Sequence, residues 1–89
     1  MTPLSLADIK EKMKSFIDDK FLMGEGFKGF DDDDSFLENG IIDSTGVLEL
    51  VTFTEEEFGI HIDDEEMVPD NLDSINNISR FIVEKHAAA

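Results

Sequence analysis

Three segments of the chain repeat apolar residues at helical spacing, and no convincing pair of strands accompanies them. In the first, Ile9, Met13, Phe16 and Ile17 fall at i, i+4, i+7 and i+8, one stripe of a helix over 5–21. Ser5, three residues before Asp8, is its start signal, and Lys10, Glu11, Lys12 and Lys14 lie off the stripe. The second helix spans 44–58, with Val47, Leu50, Val51 and Phe58 facing inward and Leu48 and Phe53 nearer the flanks. Glu49, Glu55, Glu56 and Glu57 fall outside, and Gly59 ends the helix as a C-terminal cap. The last helix, over 73–85, has Ile75, Ile78, Phe81 and Ile82 as its stripe. Between these two, residues 63–67 make one short helical turn that Pro69 ends. The expected fold is all-α: a single domain over 1–89, built as a small bundle of three main helices plus one short one.

The connection over 22–43 is long for so small a domain. Gly24, Gly26, Gly29 and Gly40 break regular structure there, and the run Asp31 to Asp34 is expected to stay solvated. Long loops are usually functional or packed by their own side chains. Phe36, Leu37 and Ile41 or Ile42 are expected to pin this one to the core.

Charge and size exclude several functions. The chain has 22 Asp and Glu against 7 Lys and Arg, a formal charge of −15. That field repels nucleic acid and anionic membranes, and it draws partners with basic patches. No apolar run approaches the roughly 20 residues that span a bilayer, and the N-terminus has no apolar segment of signal-peptide type. A cytoplasmic, monomeric protein is expected. There is no cysteine, so disulfides, thiolate metal sites and cysteine nucleophiles are excluded.

Catalytic and metal motifs fail in turn. A calcium loop starting at Asp31 would need Gly at its sixth position and a carboxylate at its twelfth, where Phe36 and Ile42 stand. His61 lies beside Asp63 and Asp64 with no nucleophile in an evident triad; it reads as a surface histidine, and His86 offers no more. Without a phosphate loop or a zinc-protease motif, the chain is not expected to be an enzyme. What remains is Asp43-Ser44 at the head of the second helix. A helix N-terminus offers free amides and a positive dipole end, so a phosphodiester on Ser44 is tolerated even in an acidic protein. Asp73-Ser74 heads the last helix in the same way, and a simple cap explains either pair.

A wider pattern separates the two. The stretch FLENGIIDSTGVLELVTFTEEEFGIHIDDEE, residues 36–66, resembles the central motif of the acyl carrier protein family, and the likeness extends to both flanking helices. It joins an apolar pair, Asp-Ser, an acidic amphipathic helix ending in EEEFGI and a short acidic segment. The resemblance implies that Ser44 takes 4′-phosphopantetheine from coenzyme A, supplied by a phosphopantetheinyl transferase with Mg2+. It implies that Asp43 helps the transferase dock and hold its metal. The arm would then carry an acyl or aminoacyl group as a thioester, with the thiol the chain itself lacks. It implies a partner-recognition face on the second helix: Thr45, Leu48, Glu49, Thr52, Glu55 and Glu56. Its partners would be an adenylating ligase and a downstream transferase or synthase with basic patches.

Thr45, followed by Gly46, stands where many family members have Leu. GIIDSTGVLELV is similar to stand-alone carriers that serve adenylating ligases in specialised lipid, polyketide or aminoacyl pathways, rather than to carriers of fatty acid biosynthesis. The Gly-Gly-His/Asp-Ser motif of peptide-synthetase carriers is not present, and a free-standing carrier is expected. Two other readings stand beside it: an acidic helical adaptor without a prosthetic group, and a calcium-responsive module resting on the Asp run.

Overall fold

The computed structural model describes residues 5–22 and 30–88. Gly24, Gly26, Phe27 and Gly29, in the connection between the first two helices, lie outside them. Four α-helices form a small bundle: α1 (Leu6–Phe21), α2 (Ser44–Phe58), α3 (Pro69–Leu72) and α4 (Ile75–Ala88). Among the described residues there is no strand. Among the described residues, no helix is long and apolar enough to cross a membrane.

The helical stripes become the core. Ile9, Met13 and Ile17 of α1, Leu50, Val51 and Phe58 of α2, and Ile75, Ile78, Phe81 and Ile82 of α4 are buried together. α4 is the central element, with α1, α2 and α3 all packed against it. Phe16 lies at the edge of the core rather than within it. Ser5 caps α1 by accepting the Asp8 N–H at 3.1 Å. Gly59 ends α2 in the left-handed conformation (φ 66°) that costs a glycine little.

Three local expectations are corrected. The segment after α2 holds two short pieces: a 3-10 turn over Asp64–Glu66, then α3, with Pro69 as its first residue. Proline lacks the N–H that a first helical turn leaves unpaired, so it starts this helix well. α4 begins at Ile75 instead of residue 73, because Ser74 and Asp73 are used in capping and in holding the loop. In the loop, Phe36, Ile41 and Ile42 are buried as expected, but Leu37 is 44% exposed.

The Asp run is not merely solvated. Asp32 pairs with Lys14 at 2.7 Å and Lys10 at 3.7 Å, and its backbone oxygen accepts the Asn76 N–H at the head of α4. Asp33 accepts from the Asn76 amide side chain, and Asp34 accepts the Asp31 N–H. The run therefore ties the loop to α1 and α4. The Lys14 ammonium beside Asp32 holds its carboxyl below the usual carboxylate range. A depressed folded-state value stabilises the fold above the ordinary carboxylate pKa near ~4, and that contribution is lost as pH falls through the lower value. Asp32→Asn should therefore lower the melting temperature at pH 7. The gap from wild type, followed by circular dichroism, should close as pH falls below about 4.

Ser79, fully buried in α4, has the one buried side-chain oxygen without a hydrogen-bond partner among the described residues. An unpaired hydroxyl in an apolar core is costly. Ser79→Ala is expected to stabilise the protein by about 1 kcal/mol, read as a higher urea midpoint with an unchanged slope. An unchanged midpoint would mean the hydroxyl finds a partner in solution.

Candidate functional site

The head of α2 is set by the loop before it. Phe36 is buried, and its carbonyl accepts both the Ile41 and Ile42 N–H groups. Those bonds fold 36–42 into a tight turn that passes through Gly40 at φ 68°. Ile41 and Ile42 go into the core, and the next residue, Asp43, emerges at the surface as the N-cap. Asp43 Oδ1 accepts the Gly46 N–H at 2.7 Å, and its carbonyl accepts the Val47 N–H. The cap is therefore Asp43 and not Ser44.

Ser44 is the first helical residue and is exposed; no described residue hydrogen-bonds its hydroxyl. Ser74 is the opposite case. It is 3% exposed, and its Oγ accepts the Asn77 N–H at 3.0 Å. Two serines in the same Asp-Ser context thus differ completely: one caps and is buried, the other is free and solvated. No described acceptor meets the Ser44 and Thr45 amides, as expected for a helix start. They leave a patch of positive potential beside the Ser44 hydroxyl.

Gly46 accounts for the close fit of this corner. A Cβ there would stand 2.8 Å from Phe21 Cε1, 2.9 Å from Ile42 Cγ2 and 3.2 Å from Asp43 Oδ1. The absent side chain lets the end of α1, the loop and the cap converge on one turn of α2. The glycine is plain in the sequence, but its packing role depends on which residues meet it in space.

The remaining predicted residues divide. Thr45, Leu48, Glu49, Thr52 and Glu56 are all exposed, with Leu48 at 61%. Leu48, Glu49, Thr52 and Glu56 line one open groove of about 410 Å3 with Phe16, Lys20 and Phe53. Glu55 points elsewhere: it accepts the Ile62 N–H at 2.8 Å and lies 3.2 Å from His61 Nδ1. Its carboxylate holds the chain that leaves α2. His61 sits on the surface between Glu55 and Asp63, whose Oδ1 is 3.0 Å from Nε2. Among the described residues, no group of three or more His, Cys, Asp or Glu is arranged to hold a metal ion. The two lining residues from α1, Phe16 and Lys20, were missed by sequence reasoning. Phe16 lay on the core stripe, and nothing local marked it as a bridge to α2.

No protein-family model matches the chain.

A substitution series tests the geometry of the corner. Asp43→Ala should cost about 1 kcal/mol through loss of the cap, whereas Ser44→Ala should be near neutral in thermal unfolding. Gly46→Ala should lower stability by about 1–3 kcal/mol through overpacking, although alanine is the better helix former by about 1 kcal/mol.

Proposed function

We propose that the protein is a carrier of the acyl carrier protein type, with 4′-phosphopantetheine attached to Ser44. One observation supports it most: Ser44 presents an exposed, unbonded hydroxyl at a helix start, while Ser74 is buried and used as a cap. The motif resemblance over residues 36–66 supplies the chemical identity of the group.

The residues fit such an arm. A covalent attachment needs a reachable hydroxyl and no preformed pocket, and Ser44 provides that. The free amides of Ser44 and Thr45 and the positive end of α2 offset the phosphodiester charge beside an acidic surface. Asp43 uses Oδ1 for the cap, and no described residue bonds its second oxygen, which is left to reach a transferase-bound Mg2+. The Gly46 N–H holds that carboxylate in place, and a Cβ at residue 46 would crowd its Oδ1 at 3.2 Å. When bound, the arm supplies a thiol that holds an acyl or aminoacyl group as a thioester.

In this reading the protein does no bond chemistry of its own and is not an enzyme. Glu49 and Glu56 attract basic patches on the transferase, the adenylating ligase and the downstream synthase, giving fast and reversible encounters. Thr45 and Leu48, exposed just past Ser44, add contact close to the arm. A specialised lipid, polyketide or aminoacyl pathway in the cytoplasm belongs to the same proposal.

Intact mass tests it. The wild type, Ser44→Ala and Ser74→Ala are incubated with coenzyme A, Mg2+ and a broad-specificity phosphopantetheinyl transferase, beside a known carrier. One phosphopantetheine should be added to the wild type and to folded Ser74→Ala, and none to Ser44→Ala. A folded wild type that gains no mass while the known carrier does would refute the reading, leaving the acidic adaptor.

A further inference from the structure

Every amide from Phe36 to Ile42 has an acceptor, and the pattern closes on itself apart from one residue. Glu38 N–H donates to the Ser35 hydroxyl at 3.0 Å, Asn39 N–H to the Ser35 carbonyl at 3.1 Å, and Gly40 N–H to the Leu37 carbonyl at 3.3 Å. The Asn39 side-chain amide adds a second bond to the Ser35 carbonyl at 2.8 Å. Ile41 and Ile42 both donate to the Phe36 carbonyl. Only the Phe36 and Leu37 amides find acceptors outside the segment, and both acceptors are on Asp73: its backbone oxygen at 2.8 Å and its Oδ1 at 3.0 Å. The Ser35 hydroxyl donates to Oδ2 of the same carboxylate. Ser35 Oγ thus gives a proton to Asp73 and accepts one from Glu38, which carries the anchor into the turn.

Asp73 is a firm anchor. It lies between buried Leu72 and buried Ser74 at the junction of α3 and α4, and its own N–H is bonded to the Pro69 carbonyl at 3.0 Å. The other end of the segment is the head of α2. Ile42 lies against Gly46, and Asp43 follows as the cap. None of the bonds made by Asp73 or Ser35 reaches α2 itself. The body of that helix is held separately, by Leu50, Val51, Thr54 and Phe58 in the core. Breaking the Asp73–Ser35 latch therefore loosens the turn that carries Asp43 and Ser44 and leaves the rest of α2 in place. Proteins open locally in this way at free energies below that of global unfolding.

We propose that Asp73 and Ser35 are positioning residues for the modification of Ser44. They touch neither the serine nor the incoming group. They set the fraction of molecules in which the 36–43 turn is closed and Asp43 and Ser44 stand in the geometry the transferase binds. This rests on the carrier reading and names what controls access to its site. A partner that binds one of two forms has its apparent affinity reduced by the fraction in that form. Opening the latch therefore raises the KM for the carrier and leaves kcat unchanged, because the bound complex is the same.

The test follows mass gain of the full chain against its concentration, with coenzyme A, Mg2+ and a broad-specificity phosphopantetheinyl transferase. Asp73→Ala should raise KM about tenfold, the result of a closed fraction reduced to about a tenth, and Ser35→Ala several-fold, both at unchanged kcat. Ser35→Thr keeps the hydroxyl and should restore the wild-type KM. Gly59→Ala is the control: it strains the left-handed cap at the far end of α2, where a Cβ meets nothing within 4 Å, and should lower the melting temperature without changing KM. Circular dichroism checks that every variant is folded at the assay temperature. Amide exchange on the 15N-labelled chain reads the latch without the transferase. Ile41, Ile42 and Gly46 should speed up in Asp73→Ala and Ser35→Ala by a larger factor than Leu50 and Val51. Equal acceleration at both sets of amides, a KM rise shared by Gly59→Ala, or Ser35→Thr as poor as Ser35→Ala would overturn the proposal. A wild type that gains no mass beside a modified known carrier refutes the carrier reading and this role with it. A wild type that is modified, with one KM shared by every variant, refutes only the latch.

Discussion

The position of the site depends on Asp73, a residue on the far side of the domain from Ser44 in sequence. Its backbone oxygen accepts the Phe36 N–H at 2.8 Å, its carboxylate accepts the Leu37 N–H at 3.0 Å, and Ser35 donates its hydroxyl to the same carboxylate. These bonds clamp the loop to the junction of α3 and α4. With the backbone held on both sides, Phe36 is buried in the core, and its carbonyl accepts the Ile41 and Ile42 amides. That turn places Asp43 where it caps α2. The exposed serine is thus the last link in a chain that starts with one carboxylate on the other side of the loop.

That arrangement shows how a protein with so many carboxylates folds against its own repulsion. Several acidic groups act as hydrogen-bond acceptors for backbone amides instead of as free charges: Asp34 for Asp31, Asp43 for Gly46, Glu55 for Ile62, Glu66 for Asp63, Asp73 for Leu37. Bonds to an ionised acceptor are stronger than neutral ones. They fix turns and helix starts that an apolar residue would leave unsatisfied. Asp32 and Glu66 also recruit lysines, Lys14 to the loop and Lys85 from α4, and those partners hold both carboxyls below their usual range. Lys10, Lys12, Lys14 and Lys85 are placed where two elements must be joined. On α2, Glu49 and Glu56 are left without such a role, and their carboxylates stay exposed.

The main helices were legible because burial imposes a 3.6-residue period, and Ile9, Met13, Ile17, Leu50, Ile78 and Ile82 obey it. The Ser5 cap and the Gly59 stop were legible for the same reason: both act within one turn. What failed were features settled across the chain. Leu37 and Phe36 are neighbours of similar hydrophobicity, and which one enters the core is decided by Asp73, 36 residues from Leu37. The Asp run looked solvated because Lys10, Lys14 and Asn76 are remote in sequence. Pro69 reads as a stop because proline ends helices as readily as it starts them, and only the conformation of the residues after it separates the two roles. At the site, Ser44 and Ser74 carried the same local signal, which only the wider pattern over 36–66 separated; in the structure the burial of Ser74 and the cap made by Asp43 tell them apart.

The two surface features of α2 share one framework. Phe21 closes on Gly46 at the head of the helix, Phe21 meets Phe16 edge-on at 6.1 Å, and Phe16 stacks on Phe53 midway along it. A line of aromatic rings from α1 therefore supports α2 from the turn that bears Ser44 to the groove between Glu49 and Glu56. Aromatic rings have few rotatable bonds, so this support transmits position without much side-chain freedom. Under the proposed carrier reading, the turn that bears Ser44 and the exposed Glu49–Glu56 face of α2 rest on one aromatic spine, which keeps their separation fixed. A side chain at residue 46 would break that spine at its first contact, which is a physical reason for the glycine that sits two residues after the serine.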